Sequence, residues 1–141
     1  MSKISSPLCR VGRKKLIKDK VVSKIPKDFK IYVEPFAGSG DIFFALNLDP
    51  RKIKSYINDN DKDIATAFAI MKSNPNISNI SKFKTMSLEQ VRSFVKQSHT
   101  SAIDKLAEII YKLCGTFGSQ GGDAKIYKAP NIEPKLKRMP K

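Results

Sequence analysis

A glycine turn at the end of a short apolar run constrains this chain more than any other feature of its 141 residues. The run is Ile31-Tyr32-Val33-Glu34-Pro35-Phe36-Ala37-Gly38-Ser39-Gly40, and Asp41-Ile42-Phe43-Phe44 then opens a helix-like pattern. Gly38 and Gly40 can take positive φ and carry no Cβ, so the backbone can turn sharply and lie against a ligand at the mouth of a parallel sheet. That arrangement predicts an α/β fold with a small-molecule site at the turn. The residues after the glycines narrow the ligand. A dinucleotide fingerprint needs a third glycine where Phe43 stands, and a phosphate-binding loop needs Gly-Lys-Ser/Thr where Asp41 follows Gly40.

An acidic signal comes about twenty residues after the glycines, the spacing at which a carboxylate can grip ribose hydroxyls. It lies in Lys54-Ser55-Tyr56-Ile57-Asn58-Asp59-Asn60-Asp61, where a strand ends and Asp59 is the expected ribose ligand. The same residues fit a turn and an N-cap for a helix starting near Lys62.

Around these anchors the pattern predicts a first amphipathic helix over Lys14 to Ile25, stopped by Pro26. Strands are expected at Ile31–Val33 and Lys54–Ile57, with a helix at Asp41–Leu46 between them and another over Lys62–Lys72. Beyond Asn74 helices replace strands. Ser87 with Gln90 forms a capping box for a helix through Val95, and Ser101 with Asp104 starts another through Leu113.

Three segments, in order and spacing, resemble the opening of Dam-like adenine-N6 DNA methyltransferases. They are Ser6 to Leu16 around Gly12-Arg13-Lys14, Tyr32 to Gly40, and Asn58 to Ile64. The resemblance implies a partial Rossmann-like sheet that binds S-adenosylmethionine, with an inserted helical subdomain for target recognition. It divides the chain into a cofactor-binding part, 1–73, and a helical target-recognition-like part, 74–141. By position it assigns cofactor contacts to Arg10, Lys14, Pro35, Phe36, Ala37, Gly38, Gly40, Asp59 and Asn60. Arg10 stands where many relatives have an aromatic residue, and Arg13 replaces a glycine. The implied reaction moves a methyl group to the exocyclic amine of adenine in double-stranded DNA. No Asp-Pro-Pro-Tyr occurs in the chain, and in the family that motif holds the target amine. The expectation is therefore an N-terminal portion, inactive alone, with a possible complementing C-terminal chain carrying the motif. A non-catalytic nucleic-acid-binding remnant, and a methyltransferase acting on RNA or cytosine N4, are the alternatives.

The net charge of +14 calls for a polyanionic partner. Its excess sits at the ends: residues 1–30 carry ten Lys/Arg against two acids, and 115–141 carry six against two. Lys15, Lys125, Lys128, Lys135, Lys137 and Arg138 are the expected phosphate contacts. Phe117 and Gln120, in the glycine-rich stretch Gly115 to Gly122, are expected to enter a groove, where a glutamine can read adenine. A solvated lysine face and a flexible linker explain the same residues. Cys9 and Cys114 lack Cys-x-x-Cys spacing and His99 is the only histidine, which predicts two isolated thiols, no metal site and a reduced, intracellular setting. No run approaches the roughly twenty apolar residues of a membrane span.

Overall fold

A computed structural model of the chain describes residues 5–12, 14–74, 86–116, 121 and 125–132, of Lys15 the backbone only. A 3₁₀ turn, Lys14–Leu16, leads into α1, Lys18–Val22. Strand β1 is Ile31–Glu34, helix α2 Asp41–Leu46 and strand β2 Lys54–Ile57. Helices α3, Lys62–Ser73, α4, Leu88–Phe94, and α5, Ala102–Gly115, complete the order. The chain is thus α/β, with a parallel sheet of two strands among the described residues.

The strand register pairs Ile31 with Lys54, Tyr32 with Ser55, Val33 with Tyr56 and Glu34 with Ile57. Alternation turns Tyr32 and Glu34 toward α2 and leaves Ile31, Val33 and Tyr56 on the opposite face, 59%, 60% and 49% exposed. Below the sheet an aromatic series runs from Phe29 through Tyr32, Phe43 and Phe44 to Phe68 of α3, with ring centroids 5.4 to 6.3 Å apart. It couples β1 and α2 to the helical part of the molecule.

The main core lies among the helices. α5 carries Leu106, Ala107, Ile109, Ile110, Tyr111 and Leu113, each no more than 1% exposed. Ile64 and Ala67 of α3, Val91 of α4, and Leu8, Ile126 and Ile132 from outside the helices pack against it. This core therefore draws on residues either side of Asn74. Glu108 is buried with them. Burial alone raises its pKa, but Lys112 and Lys105, 2.7 and 2.9 Å away, bring the carboxyl below its ordinary value.

Local signals explain the helix starts. Asp61 accepts from the Asp63 and Ile64 backbone N–H groups at the head of α3. At α4 the capping box is complete: Gln90 N–H donates to Ser87 Oγ at 3.2 Å and Ser87 N–H to Gln90 Oε1 at 2.7 Å. Replacing Ser87 with alanine is expected to cost about 1 kcal/mol in urea unfolding, because one end donor of α4 loses its acceptor. A midpoint equal to wild type would show that the cap contributes nothing.

Two expectations need correction. The amphipathic helix over Lys14 to Ile25 is two short pieces, broken at Ile17, and its apolar stripe is only partly covered: Leu16 is 97% exposed, Ile17 48%, and α1 has no fully buried residue. Cys9 and Cys114 are not isolated thiols. They form a disulfide, with Cα atoms 5.0 Å apart, that joins the N-terminal segment to the end of α5 across 105 positions. Spacing rules are blind to a pair this distant in sequence.

Candidate cofactor site

The turn after β1 is fastened to the end of β2. Ala37 N–H donates to Asn58 O at 2.9 Å, Gly38 N–H to Asp59 Oδ2 at 2.7 Å, and Asn58 Nδ2 to Pro35 O at 3.3 Å. Asp59 Oδ1 also accepts from Asp61 N–H at 3.0 Å, so one carboxylate holds both the glycine turn and the turn leading into α3. Gly38 has φ +54° and Gly40 φ +72°, values that favour glycine. A Cβ on Gly40 would stand 2.9 Å from the Phe68 ring, whereas at Gly38 it would meet nothing within 4 Å. Gly40 is thus required by packing, and Gly38 leaves its backbone open to a ligand.

Beside this turn lies a cavity of about 260 Å³. Arg10, Gly12 and Lys14 line it from the N-terminal segment, and Phe36, Ala37 and Gly38 from the loop. Glu34, Asp41 and Asp59 add three carboxylates. Sequence reasoning named Arg10, Lys14, Phe36, Ala37, Gly38 and Asp59, and the structure brings these six together. Pro35, Gly40 and Asn60 do not line the cavity: the first two shape the turn, and Asn60 is exposed. Phe36, 85% exposed, stands at the rim.

Arg10 forms an ion pair with Asp61, the N-cap of α3. Together with the adjacent disulfide, this fixes the N-terminal wall of the cavity at two consecutive residues. Lys14 Nζ donates to Gly12 O at 3.0 Å and is exposed. Asp41 is buried and accepts from Ser39 Oγ at 2.9 Å.

Glu34 and Asp41 were missed as site residues, although strand alternation puts Glu34 on the covered face with Tyr32. Burial raises the Glu34 pKa, against the lowering effect of hydrogen bonds from the Tyr32 hydroxyl, at 2.7 Å, and the Phe43 backbone. The same burial pushes the Tyr32 hydroxyl up well beyond its ordinary value. A raised carboxyl pKa means that the folded chain holds the proton more tightly than the unfolded one. Stability therefore falls as pH rises from the ordinary 4.5 through the raised value. Glu34→Gln is expected to remove that slope, which for one proton is at most about 1.4 kcal/mol per pH unit. Equal slopes in urea unfolding of the two proteins across the acid range would contradict this.

Among the expected nucleic-acid contacts, Lys125 and Lys128 are exposed on a segment packed against the end of α5. The Lys15 side chain and Phe117, Gln120, Lys135, Lys137 and Arg138 lie outside the described residues. No helix among the described residues is long and apolar enough to cross a membrane.

The cavity thus presents cations at Arg10 and Lys14, carboxylates at Glu34, Asp41 and Asp59, and a Gly38 backbone that carries no Cβ. A family model, D12 class N6 adenine-specific DNA methyltransferase, matches residues 11–114, a span that runs from the cavity wall to the end of α5. No curated protein matches the chain.

Proposed function

Because the chain belongs to the D12 class N6 adenine-specific DNA methyltransferase family, we propose that its cavity binds S-adenosylmethionine for methylation of adenine N6 in double-stranded DNA. The observation that carries this reading is the Gly38–Asp59 hydrogen bond, which closes the glycine loop beside a cavity lined by both cations and carboxylates. When bound, the cofactor supplies a methyl group activated on a sulfonium. Lys14 and Arg10 attract the carboxylate of the methionine moiety, and Glu34 and Asp59 face its cationic and hydroxyl groups. The protein's task is alignment and electrostatic complementarity.

In this reading residues 1–73 are the cofactor-binding part of a Rossmann-like domain, and residues 74–141 form a helical target-recognition region. The exposed Ile31, Val33 and Tyr56 face supports a further element. Parallel sheets are ordinarily covered on both faces, and an uncovered strand edge invites pairing. A complementing polypeptide that packs on this face, extends the sheet beyond β1 and brings an Asp-Pro-Pro-Tyr motif would cover it, and in this reading residues 1–141 without it do not methylate DNA. DNA methylation places the protein inside a cell, where thiol reductants act on the Cys9–Cys114 bond.

Incubating the chain with methyl-labelled S-adenosylmethionine and, in parallel, duplex DNA or RNA tests these statements together. The expected result is retained cofactor with no labelled base. Labelled N6-methyladenine would refute inactivity of the chain alone, and label on cytosine N4 or RNA would replace the substrate. Salt-dependent DNA binding without retained cofactor would favour a non-catalytic nucleic-acid-binding remnant, a reading that the charge of +14 also suits.

A further inference from the structure

Past α5 the chain returns as a short strap, residues 125–132, held far more firmly than an exposed loop requires. Thr116 bridges antiparallel to Ile126. Tyr127 N–H and Lys128 N–H both donate to Gly115 O, at 2.9 and 3.3 Å. Arg92 of α4 reaches across and donates from Nε and Nη2 to Ile126 O at 3.0 and 2.8 Å. Ile126 and Ile132, 5% and 0% exposed, anchor the strap in the core at both ends. A Cβ on Gly115 would lie 2.8 Å from Lys128 O, so the close approach depends on glycine.

This scaffold holds an aromatic ring out in water. Tyr127 is 60% exposed between exposed Lys125 and Lys128, and Lys125 Nζ lies 5.8 Å from the ring centroid. A tyrosine presented by fixed backbone offers a large flat contact at low entropic cost. Flanking lysines position phosphates without reading sequence.

We propose that Tyr127 is a stacking contact for an unstacked nucleobase of DNA, with Lys125 and Lys128 on neighbouring phosphates and Arg92 as the residue that positions the strap. This rests on the DNA-methyltransferase reading and adds a contact that neither the motifs nor the cofactor cavity identify. Phosphate-binding lysines give salt-dependent affinity, whereas stacking depends on the ring and tolerates loss of the hydroxyl.

The test uses the whole chain and a labelled duplex carrying one unpaired base, with affinity read by fluorescence anisotropy at several salt concentrations. Tyr127→Ala is expected to weaken binding about 5- to 100-fold, and Tyr127→Phe to bind within about twofold of wild type. Lys125→Ala and Lys128→Ala each lower the salt slope by about one. In the wild-type protein, photo-crosslinking to 5-iododeoxyuridine at the unpaired position should place the adduct on Tyr127. Wild-type DNA binding that Tyr127→Ala leaves unchanged, or that Tyr127→Phe weakens as much as alanine does, would overturn the stacking contact while leaving the DNA reading intact. Absence of salt-dependent binding by the wild type would overturn both.

Discussion

Reducing the Cys9–Cys114 bond, or replacing Cys9 with serine, is expected to lower the stability of the chain by about 2–5 kcal/mol. The bond joins positions 105 residues apart. A cross-link over so long a loop removes a large share of the unfolded chain's freedom, and the entropic estimate for about 100 residues is near 4.7 kcal/mol. Cys9 is the better site for substitution because it is only half-buried, whereas Cys114 is 3% exposed and a hydroxyl there adds a desolvation cost. Urea unfolding with and without a phosphine reductant measures the effect. The unfolded state also expands once the link is gone, so the slope rises as the midpoint falls. The native state changes too, since the bond adjoins Arg10 and the cavity wall. A reduced protein with the midpoint and slope of the oxidised one would remove the bond from any account of this fold.

Asp59→Ala is expected to weaken S-adenosylmethionine binding by about a hundredfold or more. The carboxylate accepts Gly38 N–H at 2.7 Å and Asp61 N–H at 3.0 Å while lining the cavity. Hydrogen bonds to a charged group are worth about 1.5–3 kcal/mol each, and losing both leaves two half-buried donors unpaired. About 3 kcal/mol corresponds to a hundredfold in affinity. Asp59→Asn keeps one acceptor oxygen and turns an amide donor toward the other N–H, so its loss falls between wild type and alanine. Amide resonances of Gly38 and Asp61 report whether the turns stay closed. Unaltered affinity in a folded Asp59→Ala protein would detach this residue from the site.

Much of this arrangement is legible in the sequence because local chemistry dictates it. The glycine turn, the Lys54–Ile57 strand, the Asp41–Leu46 helix and the Ser87–Gln90 box depend on residues a few positions apart, and the structure keeps all four. Asp59 lines the cavity and also belongs to the turn before α3, where Asp61 supplies the N-cap. The rest depends on partners remote in sequence. Arg10 finds Asp61, and Cys9 finds Cys114, because the buried Leu8 and Pro7 carry the N-terminal segment into the helical core. Apolar periodicity predicted a long first helix, but periodicity only promises a helix when the whole stripe is covered, and among the described residues Leu16 stands 97% exposed. The strap at Tyr127 is likewise invisible to local patterns, since Arg92 on α4 and the Gly115 carbonyl hold it from outside its own segment.

Calorimetric titration of S-adenosylmethionine into the purified chain tests the central claim most directly. Saturable binding at one site per chain, with S-adenosylhomocysteine competing and NAD or ATP failing to compete, is the predicted result. A folded sample that binds none of these, or that binds NAD or ATP in preference, would contradict the assignment of this cavity to the methyl donor.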